Sequence, residues 1–224
     1  MAKKNSTRTS IEELNESLSS FEQKIENNKR VIYWTVAAIV VIALIILGYV
    51  NLVRNPAIQQ AKEEIAKADL SLSLGNDSIA LQQYLEVADS YSNDPANRAN
   101  LNAAIILYQQ GKYEEAIASL KEYDPSGSVV GPASKSLMGD CYVNLEKYDD
   151  ALKAFDKAAS LAGDNYLYTP IFLMKKATVY RELADYKAEA QTYQTIKDKY
   201  PEFAVNYNID IEKYLIRAQA QAGE

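Results

Sequence analysis

Two adjacent carboxylate pairs, Glu114-Glu115 and Asp149-Asp150, and a lone thiol, Cys141, are the side chains here best suited to chemistry. Paired carboxylates act in acid–base catalysis when they converge on one proton. Neighbours on a helix point about 100° apart, so these pairs do not converge. They read as solvated first-turn acids, favoured by the positive end of a helix dipole. Cys141 follows Gly139-Asp140 with no basic neighbour to lower its pKa, and reads as a buried structural thiol. The 224 residues include no His and one Cys. That excludes zinc fingers, haem or blue-copper ligation, Ser-His-Asp and Cys-His nucleophiles and any intrachain disulfide. No G-x-x-x-x-G-K-S/T, G-x-G-x-x-G, G-x-S-x-G or D-x-D-x-D-G pattern occurs. The expectation is a non-enzymatic chain with no cofactor and no metal. A pI near 4.9 argues against a nucleic-acid partner, which needs a basic face.

Both acid pairs stand just after a turn in a repeated pattern. With 8 Gly and 6 Pro and abundant Ala, Leu, Glu, Lys and Tyr, the chain is expected to be all-α. The fullest copy, GDCYVNLEKYDDALKAFDKAA, spaces Gly139, Tyr142, Tyr148, Ala151, Phe155 and Ala158 as a helix hairpin. Gly139 lets two helices approach, Tyr142 and Tyr148 bracket the turn, Ala151 sits at the contact, and Phe155 and Ala158 pack onward. Upstream, Gly111, Tyr113, Ala116 and Leu120 repeat the pattern, Tyr113 lying 35 residues before Tyr148. Downstream come Ala177, Tyr180, Tyr186, Tyr193, Ile196 and Pro201, Tyr186 lying 38 residues after Tyr148. There Glu189 stands where the small residue belongs, so a distorted helix contact is expected. Tyr142, Tyr148, Tyr180 and Tyr186 read as core.

A period near 34 residues with this signature resembles the tetratricopeptide repeat. The expected solenoid occupies residues 55–224, with Asn55-Pro56 as N-cap and first-turn proline. Within it lie a weakly marked pair at 57–94, repeats at 97–125, 133–163 and 169–201, and one capping helix at 205–221 bearing Ile211, Leu215 and Ala218.

Val31 to Val50 are twenty consecutive residues without charge, enough to span a hydrocarbon core of roughly 30 Å. A transmembrane signal-anchor is expected over residues 31–53, with Tyr33, Trp34 and Tyr49 near the headgroups. The thirty-residue leader and the length of the run argue against a cleaved signal peptide. The tail, residues 1–30, has 6 basic and 5 acidic residues, whereas Arg54 onward has 18 and 25. This bias points to a cytoplasmic N-terminus and an exported solenoid. In the tail, Ile11, Leu14, Leu18, Phe21 and Ile25 form a short heptad seam, preceded by a capping box from Ser10 to Glu13. The seam suits a helix on the membrane surface, or one that docks or self-associates.

Repeat solenoids bind along the helix faces that stacking leaves free. Arg98, Leu101, Ile105 and Tyr108, then Ser136, Asp140 and Asn144, then Met174, Thr178 and Arg181 fall on that face of the first helix of each hairpin. This mixed surface suits an extended peptide. It lacks the Lys/Asn/Arg set by which some such repeats clamp a C-terminal carboxylate, and only Lys175 lies near a matching place.

The order of tail, signal-anchor, weak pair, GKYEEAI, GDCYVNLEKYDDALKAFDKAA, PIFLMKKA, KDKYP and IDIEKYLIRA resembles the membrane-anchored tetratricopeptide proteins similar to the ancillary subunit of the bacterial Sec translocon, in the Tyr- and Asn-rich style of Bacteroidota. The resemblance implies a single-pass inner-membrane protein with its repeats in the periplasm. Its partners would be translocon subunits, exported polypeptides or periplasmic chaperones, besides membrane lipid around the anchor. The other function considered is a structural subunit of an envelope complex, assembled through the anchor and the tail helix.

Overall fold

The computed structural model describes residue 26 and residues 28–223, which divide into two units between Ala57 and Ile58. The Ile11–Ile25 seam lies outside the described residues. Among the described residues the chain is helical, with no strand.

In the first unit, α1 (Lys29–Tyr49) is a helix of 21 residues with no buried side chain. It supplies a segment long and apolar enough to cross a membrane. Its one aliphatic hydroxyl, on Thr35, donates to the Val31 carbonyl one turn back. The polar group is thus satisfied inside the helix, as an apolar solvent requires. A turn of π-helix, Val50–Arg54, follows. Asn55 then has helical dihedrals (φ −65°, ψ −45°), not the extended ones of an N-cap, which corrects the helix start expected at Asn55-Pro56. In a regular α-helix the Pro56 ring would clash with the carbonyl four residues back. That carbonyl belongs to Leu52, inside the widened π turn, which relieves the conflict.

The second unit is built from helix hairpins. They pair α2 (Asn55–Ser73) with α3 (Asp77–Ser90), α4 (Asp94–Gln109) with α5 (Tyr113–Glu122), α6 (Val130–Asn144) with α7 (Tyr148–Ala162), and α8 (Tyr168–Glu182) with α9 (Tyr186–Lys199). One backbone device closes all four. Gly75, Gly111, Glu146 and Ala184 take φ of 75°, 74°, 57° and 56°, the left-handed region. The next N–H (Asn76, Lys112, Lys147, Asp185) donates to the carbonyl five residues back, at 2.9–3.0 Å. These are Schellman turns, in which the left-handed residue lets the chain reverse while saturating the last helical carbonyls. Five residues beyond each stand Ala80, Ala116, Ala151 and Glu189, every one at 0 % exposure.

Short polar side chains cap the starts of α4 and α9. Asn93 accepts from Ala96 N–H at 3.2 Å, and Asp185 from Ala188 N–H at 3.0 Å. Glu114-Glu115 and Asp149-Asp150 fall in the first turns of α5 and α7. One core runs from Ile65 through Tyr84, Leu107 and Leu120 to Cys141, and another from Ala177 through Tyr193 and Ile196 to Leu215. Between them Phe155 packs with Ala151 and Val179.

The end of the chain departs from the single capping helix expected at 205–221. Helix α10 (Pro201–Asn206) stops early, Asn208 turns left-handed at φ 52°, and α11 (Ile211–Ala222) begins with Asp210 accepting from Lys213 N–H at 3.0 Å. The break lets α11 lay Ile211, Leu215 and Ala218 on α9.

Candidate protein-binding groove

The packing positions come first, because they hold the groove helices in place. Ala116, Ala151 and Ala158 are fully buried and Phe155 is 1 % exposed. A Cβ on Gly139 would lie 2.6 Å from Cε1 of Phe155, so the ring occupies the space that the missing side chain leaves. Gly111 does different work: it is exposed and provides the left-handed turn residue before α5. Pro201 opens α10 and is exposed.

The tyrosines expected in the core are only half-buried. Tyr142 and Tyr148 flank the Ala151–Phe155–Val179 cluster, Tyr113 tilts against Tyr108 with ring centroids 5.7 Å apart, and Tyr180 lies 5.5 Å beneath the Lys176 ammonium. Tyr186, at the start of α9, is half-buried as well. A phenol can keep its hydroxyl near water while its ring covers apolar surface, and these tyrosines settle on the flank, whereas Tyr84 and Tyr193 lie buried in the two cores.

The ten groove positions lie on α4, α6 and α8. Leu101 and Tyr108 are half-buried against the first core, and Ile105 between them is 38 % exposed. Arg98 reaches back to α2, donating to Asp69 Oδ2 at 2.7 Å, while Asp69 Oδ1 accepts from the Tyr84 hydroxyl at 2.6 Å. Ser136 is a correction to the exposed face: it is 4 % exposed and sits under Lys175. The Lys175 ammonium donates to Asp140 Oδ2 at 2.5 Å and to Ser136 Oγ at 3.1 Å, and lies 5.9 Å from the Phe155 ring centroid. The one cation near a clamp position is therefore spent on an internal carboxylate. Burial pushes Asp140 above the usual carboxylate range, and Lys175 pulls it the other way.

Asn144 donates from Nδ2 to the Asp140 carbonyl at 2.8 Å. Tyr108 faces both: burial raises its phenol first, and the Asp140 charge adds to the rise. On α8, Met174 packs on the C-terminal core, Thr178 donates to the Met174 carbonyl at 3.1 Å, and Arg181 Nη2 lies 3.5 Å from Glu182 Oε1. Asp140 and Asn144 thus meet Tyr108 across the α4–α6 junction, and Lys175 ties Asp140 and Ser136 to α8. Arg98 and Arg181 stand apart at the two ends. Asp69 carries no sequence signal as the partner of Arg98, because it lies in the weakly marked pair.

The helix-hairpin geometry agrees with comparisons against known families. The profile of Anaphase-promoting complex, cyclosome, subunit 3 matches residues 76–158, and that of Tetratricopeptide repeat matches residues 137–202. Residues 137–202 thus match tetratricopeptide repeats, a class that serves as protein–protein interaction scaffold, and neither match indicates a catalytic family. A crystal structure of MamA protein has the same fold at a TM-score of 0.54 and 16 % identity, covering 72 % of this chain and 91 % of that one. The C-terminal part of a TPR repeat-containing protein from Cytophaga hutchinsonii superposes at 0.53 and 20 % identity, covering 71 % and 58 %. No curated protein matches the chain by sequence.

Proposed function

We propose that the chain is a membrane-anchored adaptor. In this reading α1 crosses an inner membrane once, with the N-terminus in the cytoplasm and the repeats in the periplasm. There the α4–α6–α8 face holds proteins beside the Sec translocon, either emerging polypeptides or the chaperones that receive them. The observation that carries the reading is α1 itself. It has no buried side chain, and no charge intervenes between Arg30 and Arg54, yet it is joined to repeats whose class binds proteins. Lys29 and Arg30, which open it, and the acidic balance after it support the orientation. The Ile11–Ile25 seam would serve self-association or docking on the cytoplasmic side.

Two experiments test the reading. Gln221, exposed near the end of α11, is replaced by Cys, and intact spheroplasts receive a membrane-impermeant thiol reagent. Labelling before lysis supports an exported solenoid, and labelling only after lysis overturns it. Cys141 is fully buried, so the unmodified chain serves as the blank. Then Tyr108 and Arg181 are replaced together by Ala, and proteins cross-linked in native membranes are identified by mass spectrometry. Loss of translocon or exported-protein cross-links with unchanged helical circular dichroism supports the groove. An unchanged cross-link set moves binding to the anchor and the tail, as expected of a structural subunit.

A further inference from the structure

Resting on the groove reading above, we infer that the α4–α6–α8 face takes an uncharged, apolar extended segment and rejects an acidic C-terminal tail. The argument begins with charge. Each cation on the face already has a carboxylate of this chain: Arg98 has Asp69 at 2.7 Å, Lys175 has Asp140 at 2.5 Å, and Arg181 has Glu182 at 3.5 Å. Three cations and three carboxylates leave no net charge for a ligand to neutralise. An incoming carboxylate would have to displace an internal one from its partner, and at Asp140, only 24 % exposed, an acid left without its cation is costly.

The Lys175 site makes the point most strongly. Its ammonium is held by Asp140 and Ser136 and lies beside the Phe155 ring, so three protein groups already surround it. Ser136 is buried and holds the ammonium from below, while the lysine side chain stays 38 % exposed.

Between the paired charges lies an apolar and aromatic stretch that is partly exposed. Leu101, Ile105 and Tyr108 recur at spacings of 4 and 3 along one face of α4, Ile105 is 38 % exposed, and Tyr108 pairs with Tyr113. Such a stripe recognises alternate apolar side chains of an extended strand. The Asn144 amide beside Tyr108, which gives one N–H to the Asp140 carbonyl, has a further N–H and its oxygen to meet backbone groups, and these carry no net charge. Charge neutrality and a partly exposed apolar stripe therefore specify the same occupant.

The test uses the full-length chain in lipid nanodiscs, with empty nanodiscs as blank, and two fluorescein-labelled peptides read by anisotropy. One has the sequence Gly-Ser-Leu-Tyr-Ser-Leu-Gly-Ser with an amidated end. The other carries two further Asp residues and a free carboxylate. The amide is expected to bind about tenfold more tightly, and Ile105→Asp to weaken it about tenfold. Asp140→Asn, which releases Lys175, is expected to bring the two peptides within about threefold of each other. If the acidic peptide binds the wild-type chain as well as the amide or better, and Lys175→Ala abolishes that binding, this inference is overturned while the groove stands. If neither peptide binds, or Ile105→Asp changes nothing, the groove reading falls with it.

Discussion

Arg217 on α11 donates from Nη2 to Oε1 of Glu189 on α9 at 2.6 Å, and the carboxylate it holds is wholly buried. Glu189 occupies the position that is alanine in the three preceding hairpins, five residues past the left-handed turn residue. In those hairpins the small residue lets the next helix approach. In the last one the next helix is the cap, and the carboxylate reaches across to it. The contact expected to be distorted is thus bridged by an ion pair. Arg217 also lies 5.4 Å over the Tyr214 ring, which stacks on Tyr193 at 5.5 Å, so the guanidinium is oriented by two neighbours. Glu189 Oε2 and Arg217 Nε have no partner, so burial of this pair is only partly compensated.

Arg217→Met should therefore destabilise the solenoid by about 3–5 kcal/mol, because it strands a buried carboxylate. Glu189→Ala combined with Arg217→Met restores the small residue of the other hairpins and should recover most of that loss. Urea midpoints of the three chains decide the matter. A double variant as unstable as Arg217→Met would mean that the pair does not act as a unit.

Much of the hairpin architecture could be read from residue spacing, because a close helix contact tolerates only small side chains and a tight turn needs few residue types. Ala116 and Ala151 announced themselves in this way. Other features depend on distance rather than pattern. Nothing in the local sequence marks Asp69 as the partner of Arg98 twenty-nine residues on. The neutralisation of Lys175 was equally hidden, since Asp140 read as a groove residue until the two helices were side by side. Tyrosine spacing suggested core for Tyr142, Tyr148, Tyr180 and Tyr186, but a phenol is amphipathic and these four stay at the flank. Asn55-Pro56 carried a strong start signal, and a π turn overrode it by relieving the proline's conflict without ending the helix.

Glu146 and Ala184 hold the left-handed turn position that glycine holds in the first two hairpins. A side chain there costs on the order of 1 kcal/mol through Cβ–carbonyl crowding. Glu146→Gly and Ala184→Gly should each raise stability by about 0.5–1 kcal/mol, the remainder being offset by the greater freedom of glycine in the unfolded chain. Thermal melts that fall for both variants would mean that the turns draw their stability from the replaced side chains.

The Phe155 ring and Gly139 form a lock between α6 and α7. Phe155→Ala should cost about 3–5 kcal/mol by opening a cavity. Gly139→Ala should cost about 1–3 kcal/mol, because a Cβ 2.6 Å from the ring forces either the ring or the helix to move. Ala151→Leu should cost a similar 1–3 kcal/mol by overpacking the same contact. Combining Gly139→Ala with Phe155→Leu should cost less than the sum of the two single changes, since the shorter side chain vacates the space. Strict additivity in denaturant melts would show that the two residues do not touch.

Alkali should loosen the solenoid through two buried acids. Burial, with the Asp140 charge second, pushes the Cys141 thiol from an ordinary value of 9.0 up to about 12. Burial and the bond to Asp69 push the Tyr84 phenol from 10.0 to about 12. Both folded-state values lie above the unfolded ones, so at high pH the unfolded chain releases protons that the folded chain retains. The stabilising effect is complete below about pH 9 and is lost progressively as pH rises toward 12. Each tenfold difference in proton affinity between folded and unfolded chains corresponds to about 1.4 kcal/mol, so the two groups together withdraw several kcal/mol across that window. Lysine deprotonation adds a loss common to every variant. Urea midpoints of the full-length chain in detergent should thus begin to fall near pH 9, and Cys141→Ala should delay the onset to about pH 10, where Tyr84 takes over. An onset at the same pH with the same slope in Cys141→Ala would show that the thiol titrates freely in the folded protein, contrary to its burial in the first core.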